Sequence, residues 1–205
     1  MSVATMAAMS QAHDLPLDHS RPFATVVKDG VFDDPDDIRR WALGQEYSRC
    51  EAFNAAHGTR ESWPGARSPA LNGRHEPFVQ QFTNYILADL LRFPPTQFRA
   101  NYSFQLTLAG DGDSWVHRDA QKYQLAGLVY LTPDAPLDGG TVFYQEAELG
   151  KFEITDTIAN RYNRVIVFDS QVPHKSNRYF GQGLKDGRLT LPFFIDIDPD
   201  PKPPS

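Results

Sequence analysis

One thiol, Cys50, is all the sulfhydryl chemistry these 205 residues contain. No intrachain disulfide and no cysteine-held metal cluster can form from it, so any metal must take nitrogen and oxygen ligands. Long apolar runs are also missing: nothing approaches the roughly 20 consecutive residues a membrane-spanning helix needs. Residues 1–17 carry neither the basic start nor the apolar stretch of a secretion signal. Basic residues are outnumbered, 20 Lys and Arg against 26 Asp and Glu, giving a formal net charge of -6. A surface built to track phosphates needs the opposite balance. The expectations are a cytoplasmic protein with no nucleic-acid partner and no membrane partner; oligomeric state is not readable.

What the chain does contain is aromatic side chains, at 12% of residues, concentrated between positions 98 and 194, together with 16 prolines and 14 glycines. That combination favours a packed β core with many turns over a helical bundle. The length suits one domain with a sizeable core. Residues 1–21 are small, polar and aperiodic and read as a tail, as do the Pro- and Asp-rich residues 196–205. Between them, 22–195 form one domain: a helical and loop part over about 22–95 and a β core over about 96–195.

In the first part, residues 23–28 fit a strand. Asp34 then caps a helix with Pro35 at its first position and Ile38, Trp41 and Ala42 on one face, ending near Tyr47. Residues 48–73 hold no sustained period and form a long loop that includes Trp63 and Arg67, residues able to contact a substrate although structural roles are the commoner outcome. A second helix is expected over about 76–91, with Phe78, Phe82, Ile86 and Leu90 as an apolar stripe that buttresses a sheet. From 97 onward short β-like runs follow, at 98–108, 124–131, 141–144, 164–168 and 188–195, with no helical pattern between them. Strands so spaced predict an antiparallel sandwich or barrel.

His117 and Asp119 are two residues apart, and in extended chain such residues project to one side. An imidazole and a carboxylate can then share a metal. His174 follows the apolar run 165–168 and a turn, and would complete a two-histidine, one-carboxylate triad with open positions, the set suited to non-haem Fe(II) oxygenases. Arg188 offers a planar, bidentate cation for a carboxylate, with the Thr190 hydroxyl two residues on.

The succession His117-x-Asp119, His174, Arg188-x-Thr190 resembles the HxD…H…RxS/T signature of the Fe(II)/2-oxoglutarate-dependent oxygenase superfamily. The runs 128–131, 139–143 and 165–168 resemble its prolyl-4-hydroxylase-like branch. The likeness covers about 98–195. It implies a mainly β fold with flanking helices, a double-stranded β-helix or jelly roll. It implies Fe(II) on His117, Asp119 and His174, and the co-substrate 2-oxoglutarate anchored by Arg188 and Thr190. It also implies a role for Tyr130 in hydrogen bonding the distal carboxylate, and dioxygen as oxidant. The activity implied is hydroxylation of a small-molecule, amino-acid or peptide substrate, with release of succinate and CO2. The intact Asp119 separates the chain from related halogenases, which carry Gly or Ala there. Where the branch often has a tyrosine about ten residues before the first ligand, this chain has Thr107, with Gln105 and Tyr102 nearby; which of these meets the co-substrate is open.

An HxD alone arises by chance, and its meaning comes from the ordered recurrence of His174 and Arg188 beside apolar runs. The His117-Arg118-Asp119 triplet imitates a kinase catalytic loop, but the partner motifs are missing. Arg178 competes with Arg188 but lacks its strand context, and Trp115 could wall the site. Two other classes stay open: a cupin-like metal-binding jelly roll without 2-oxoglutarate dependence, and a non-catalytic binding domain.

Overall fold

The computed structural model describes residues 25–93 and 97–198. The expected tail 1–21 lies outside the described residues. Strand β1 (Val26–Asp29) leads to helix α1 (Pro35–Leu43), where the Asp34 side chain accepts from the Asp37 N–H at 3.0 Å. That cap and Pro35 start the helix as the sequence predicts; it stops at Leu43, four residues before Tyr47, because Gly44 follows. The stretch expected as a loop contains two short strands, β2 (Ser48–Arg49) and β3 (Ala66–Arg67), and helix α2 (Cys50–His57). Helix α3 (Glu76–Asn84) continues as a wider π turn over Tyr85–Leu90. Its buried stripe is Val79, Phe82, Thr83, Ile86 and Leu87, with Phe78 and Leu90 half-buried.

The remaining strands are β4 (Gln97–Tyr102), β5 (Gln105–Thr107), β6 (Leu125–Tyr130), β7 (Thr141–Glu148), β8 (Lys151–Ile158), β9 (Arg164–Asp169), β10 (His174–Ser176) and β11 (Arg188–Asp198). The expected strand 98–108 is therefore two, and the hairpin partner β8 was not foreseen. Strand β11 runs three residues past the expected Ile195, pairing with β4 as far as Asp198↔Gln97. On that extension the Asp196 carboxylate accepts from Arg99 Nε at 2.9 Å.

All pairings are antiparallel. The major sheet has eight strands in the order β1-β9-β6-β11-β5-β3-β2, with β4 also on β11; the minor sheet is β10-β7-β8. Strand β11 sits at the centre of the major sheet, and its two faces do different work. Leu189, Leu191, Phe193 and Ile195 are fully buried against the helices in one cluster with Phe82, Ile86, Val129, Val165 and Val167. The alternate residues Arg188, Thr190, Pro192 and Phe194 face a cavity of about 670 Å³ on the other side. The period of two thus assigns one face to stability and the other to a cleft. Among the described residues no helix is long and apolar enough to cross a membrane.

Candidate metal and co-substrate site

His117 and His174 face each other across a two-way backbone bridge, His117 N to His174 O at 3.0 Å and His174 N to His117 O at 2.9 Å. This pairing adds His117 to the edge of the minor sheet. Asp119 is pinned from the opposite side, its N–H donating to Ser170 O at 2.9 Å and its carbonyl accepting from Gln171 Nε2 at 3.2 Å. One candidate ligand atom from each of His117, Asp119 and His174 lies within 4.8 Å of the other two, so the three could hold a metal ion. Asp119 Oδ2 is 3.6 Å from His174 Nε2, and Oδ1 is 3.9 Å from His117 Nε2.

The second nitrogen of each ring fixes the tautomer. Nδ1 of His117 lies 3.1 Å from Trp115 O, and Nδ1 of His174 lies 2.9 Å from Val172 O. A carbonyl only accepts, so each Nδ1 carries the proton and each Nε2 lone pair is left for the cleft. The His174 ring is wedged edge-on against Phe168 at 4.6 Å. Burial raises the Asp119 carboxyl to about 6, against the opposing pull of His117 and Arg67. Burial likewise pushes His174 down to about 3, with His117 adding to the effect. A neutral imidazole and a desolvated carboxylate crowded around one point are what a divalent cation satisfies, so the donor set fits a metal.

Deeper in the same cavity lies Arg188, 3% exposed. Its Nε donates to Gly139 O at 2.8 Å and its Nη2 to Gly140 O at 3.4 Å, and its Cζ stands 5.5 Å from the Tyr130 ring centroid. No carboxylate pairs with it among the described residues, and burial holds its pKa below the ordinary arginine value. The Gly139-Gly140 turn can supply those carbonyls because it has no side chains: a Cβ on Gly140 would stand 1.8 Å from Ile158 O. A buried guanidinium with only neutral partners invites an anion.

Thr190 lines the cavity, its hydroxyl 3.4 Å from Gln105 O. Tyr130 is fully buried behind Arg188, and its hydroxyl is shared with Thr141 Oγ1 at 2.8 Å. Thr107 pairs with Arg188 in register and has a buried hydroxyl without a partner among the described residues, while Gln105 reaches the cavity wall. Tyr102 is a correction: it points to the opposite face, into the helix-side core, with its hydroxyl 2.9 Å from Thr83 Oγ1. Alternation along β4 and β5 puts even positions on that face, so Tyr102 cannot meet a cleft ligand. Arg178 is on the surface, paired with Asp138 at 2.8 Å. Arg118 turns away from the ligands to Glu146 at 2.8 Å. Sequence reasoning missed Tyr179, which lines the cavity with its buried hydroxyl close to Ser114 and Ser176. It lies in an irregular segment whose local pattern carries no signal.

No protein-family model and no curated protein matches the sequence. Solved structures do. A 2OG-Fe(II) oxygenase family oxidoreductase from Burkholderia pseudomallei superimposes with a TM-score of 0.60 at 12% identity over 84% of each chain. SnoK, a non-heme alpha-ketoglutarate-dependent carbocyclase of nogalamycin biosynthesis, gives 0.56 at 15% identity over 86% of this chain and 80% of its own. A Trichoplax adhaerens prolyl hydroxylase, solved with a hypoxia-inducible-factor peptide fragment, gives 0.51 at 11% over 84% and 83%. The chain has the double-stranded β-helix fold of the 2OG-Fe(II) oxygenases, a prolyl hydroxylase among them.

Proposed function

We propose that this chain is an Fe(II)- and 2-oxoglutarate-dependent dioxygenase that hydroxylates a small-molecule, amino-acid or peptide substrate. One observation carries the reading: a two-histidine, one-carboxylate cluster and a buried, carboxylate-free Arg188 share one cavity. Three protein ligands leave coordination positions open, which a closed structural site does not. A cation at the ligands and a second positive charge deeper in the cavity suit a dianionic chelator with a charge at each end. The intact Asp119 leaves no space for a halide in its place, which favours hydroxylation.

His117, Asp119 and His174 would hold the iron, and Arg188 with Thr190 would take the distal carboxylate of 2-oxoglutarate. Bound together with dioxygen, these supply the oxidising chemistry, with 2-oxoglutarate ending as succinate and CO2. The protein's own part is positional. The backbone bridge between the two histidines fixes their separation, and their Nδ1 contacts fix the direction of each Nε2. Phe168 and Phe143 shield His174 from water on the sheet side. Arg188, clamped by two carbonyls, needs little reorganisation to meet a carboxylate.

Anaerobic titration of the protein with Fe(II) and then 2-oxoglutarate tests the reading. A metal-to-ligand charge-transfer band is expected, followed on air exposure by succinate formation. A protein that binds Fe(II) but shows neither the band nor calorimetric binding of 2-oxoglutarate is a metal-binding jelly roll of another kind.

A further inference from the structure

Arg67 on β3 is a further cation on the wall of the same cavity, beside Arg118, which pairs with Glu146, and the exposed Lys122, and the metal ligands and co-substrate anchor leave it unused. Its guanidinium lies 4.9 Å from the Trp63 ring centroid, and Trp63 is braced edge-on by Phe53 at 5.1 Å. One terminal nitrogen, Nη2, donates to Gln105 Oε1 at 3.3 Å, while Gln105 Nε2 donates to Pro64 O at 2.8 Å, which fixes the amide with its oxygen toward the arginine. Nothing else in the described chain answers the positive charge at bonding distance. No carboxylate forms an ion pair with Arg67, its Nε is buried without a partner, and Nη1 has no hydrogen-bond acceptor among the described residues. Arg67 lines the same cavity as His117, Asp119 and His174 without forming an ion pair with Asp119.

The backbone holds this arrangement tightly. Gly65, two residues before Arg67, has φ +68°, and a Cβ there would stand 2.1 Å from Leu106 O and 2.8 Å from Thr107 Cγ2. Strand β3 then docks on β5 with Arg67 opposite Gln105. A planar cation stacked on an indole, clamped at one nitrogen and open at another, matches the two oxygens of a carboxylate.

We propose that Arg67 binds a carboxylate on the substrate to be oxidised, so that the enzyme acts on a small organic acid or free amino acid whose carbon skeleton lies between Trp63 and the metal ligands. The proposal rests on the oxygenase reading of the same cavity. Arg188 and Arg67 then divide two anions between them: the co-substrate at the depth of the cleft, the substrate at its wall. Arg67 is thus a specificity-determining residue.

The test uses full-length protein loaded with Mn(II) and saturated with 2-oxoglutarate, so that binding is read without turnover. L-proline, L-leucine, L-phenylalanine, benzoate and phenylacetate are each titrated beside the matching carboxamide, with benzyl phosphate as a further arm, by calorimetry and tryptophan fluorescence. At least one acid is expected to bind about 10- to 100-fold more tightly than its amide. Arg67→Gln is expected to abolish that preference and Arg67→Lys to restore part of it, with 2-oxoglutarate affinity unchanged in both. Equal binding of acids and amides by the wild type, a preference that survives in Arg67→Gln, tighter binding of benzyl phosphate than of any acid, or no binding by any acid would each overturn the proposal. If 2-oxoglutarate itself fails to bind the Mn(II) protein, the oxygenase reading fails instead, and the acid-amide comparison on the Mn(II) protein alone still decides the role of Arg67.

Discussion

Replacing Arg188 by Met should separate stability from ligand binding, because the guanidinium is costly to the empty protein and useful only to an anion. It is 3% exposed and meets two carbonyls and one aromatic ring, with no carboxylate paired to it among the described residues. Removing it orphans neither carbonyl: Asn160 Nδ2 also donates to Gly139 O, at 3.3 Å, and the Asn177 N–H to Gly140 O, at 3.0 Å. An apolar residue in place of buried ionic groups is neutral to stabilising by about 1–4 kcal/mol, and the Met side chain fills most of the space of the arginine stem. The melting temperature of the metal-free variant is therefore expected to be no lower than that of the wild type. For 2-oxoglutarate the sign reverses. Losing one partner of a buried, hydrogen-bonded charge pair costs about 2–5 kcal/mol, roughly 30- to 4,000-fold in Kd. Thermal unfolding of the Mn(II)-loaded protein, with and without 2-oxoglutarate, reads both quantities at once. The reasoning is refuted if Arg188→Met keeps the wild-type upward shift with 2-oxoglutarate, or if it melts several degrees lower without ligand, since the arginine would then be a structural strut.

Asp119→Asn tests the burial of the carboxylate. Its pKa in the folded, metal-free protein, about 6, stands above the ordinary 3.8, so the folded state holds the proton more tightly and this group's contribution to stability falls as pH rises from about 4 to 6. Chemical denaturation of the metal-free proteins should show the asparagine variant without that fall, more stable than wild type by up to about 3 kcal/mol at pH 7, and with its Mn(II) affinity lost. Tyr102→Phe removes only the hydroxyl that meets Thr83, so urea denaturation should give a loss of about 0.5–1.5 kcal/mol while calorimetry shows unchanged 2-oxoglutarate affinity. Gly65→Ala forces a Cβ into the Leu106 carbonyl at positive φ; the same denaturation assay should register a loss of about 2–5 kcal/mol.

The parts of the fold that the sequence made legible are those where a local pattern meets a burial gradient. Asp34 and Pro35 mark a helix start because both act within one turn, and β6, β9 and β11 show as apolar runs because the major sheet is covered on both faces. The hairpin partner β8 was hidden for the opposite reason. Nearly every residue of Lys151–Ile158 is exposed, so backbone pairing to β7 holds the strand and no burial pattern writes it into the side chains. In the candidate site, the closeness of His117 to Asp119 was legible from their spacing, and the placement of His174 and Arg188 in the same cavity from the apolar strands beside them. The parity of Tyr102 puts it on the other face from Gln105 and Thr107. Tyr179 and the free nitrogens of Arg67 depend on where irregular segments dock, which one-dimensional periodicity does not encode.

Strand β11 joins these observations. Its odd positions, Leu189 to Ile195, are fully buried in the helix-side cluster, and they tie the sheet to α3 through Phe82 and Ile86. Its even positions begin with Arg188 and Thr190 and contribute polar groups to the cleft. Because one rigid strand carries both sets, the packing that stabilises the domain also fixes the position of the guanidinium, and the cleft face is free to hold groups that would not be tolerated in a core. The same holds at His117 and His174, where the two-way backbone bridge sets the spacing of the two rings. The three crowded donors and the buried guanidinium of Arg188 thus lie together in the cavity, on the side of the sheet away from the helices. A metal ion on the three donors and an anion on Arg188 would satisfy both at once, and this is why the arrangement makes physical sense as a binding site and not as a core.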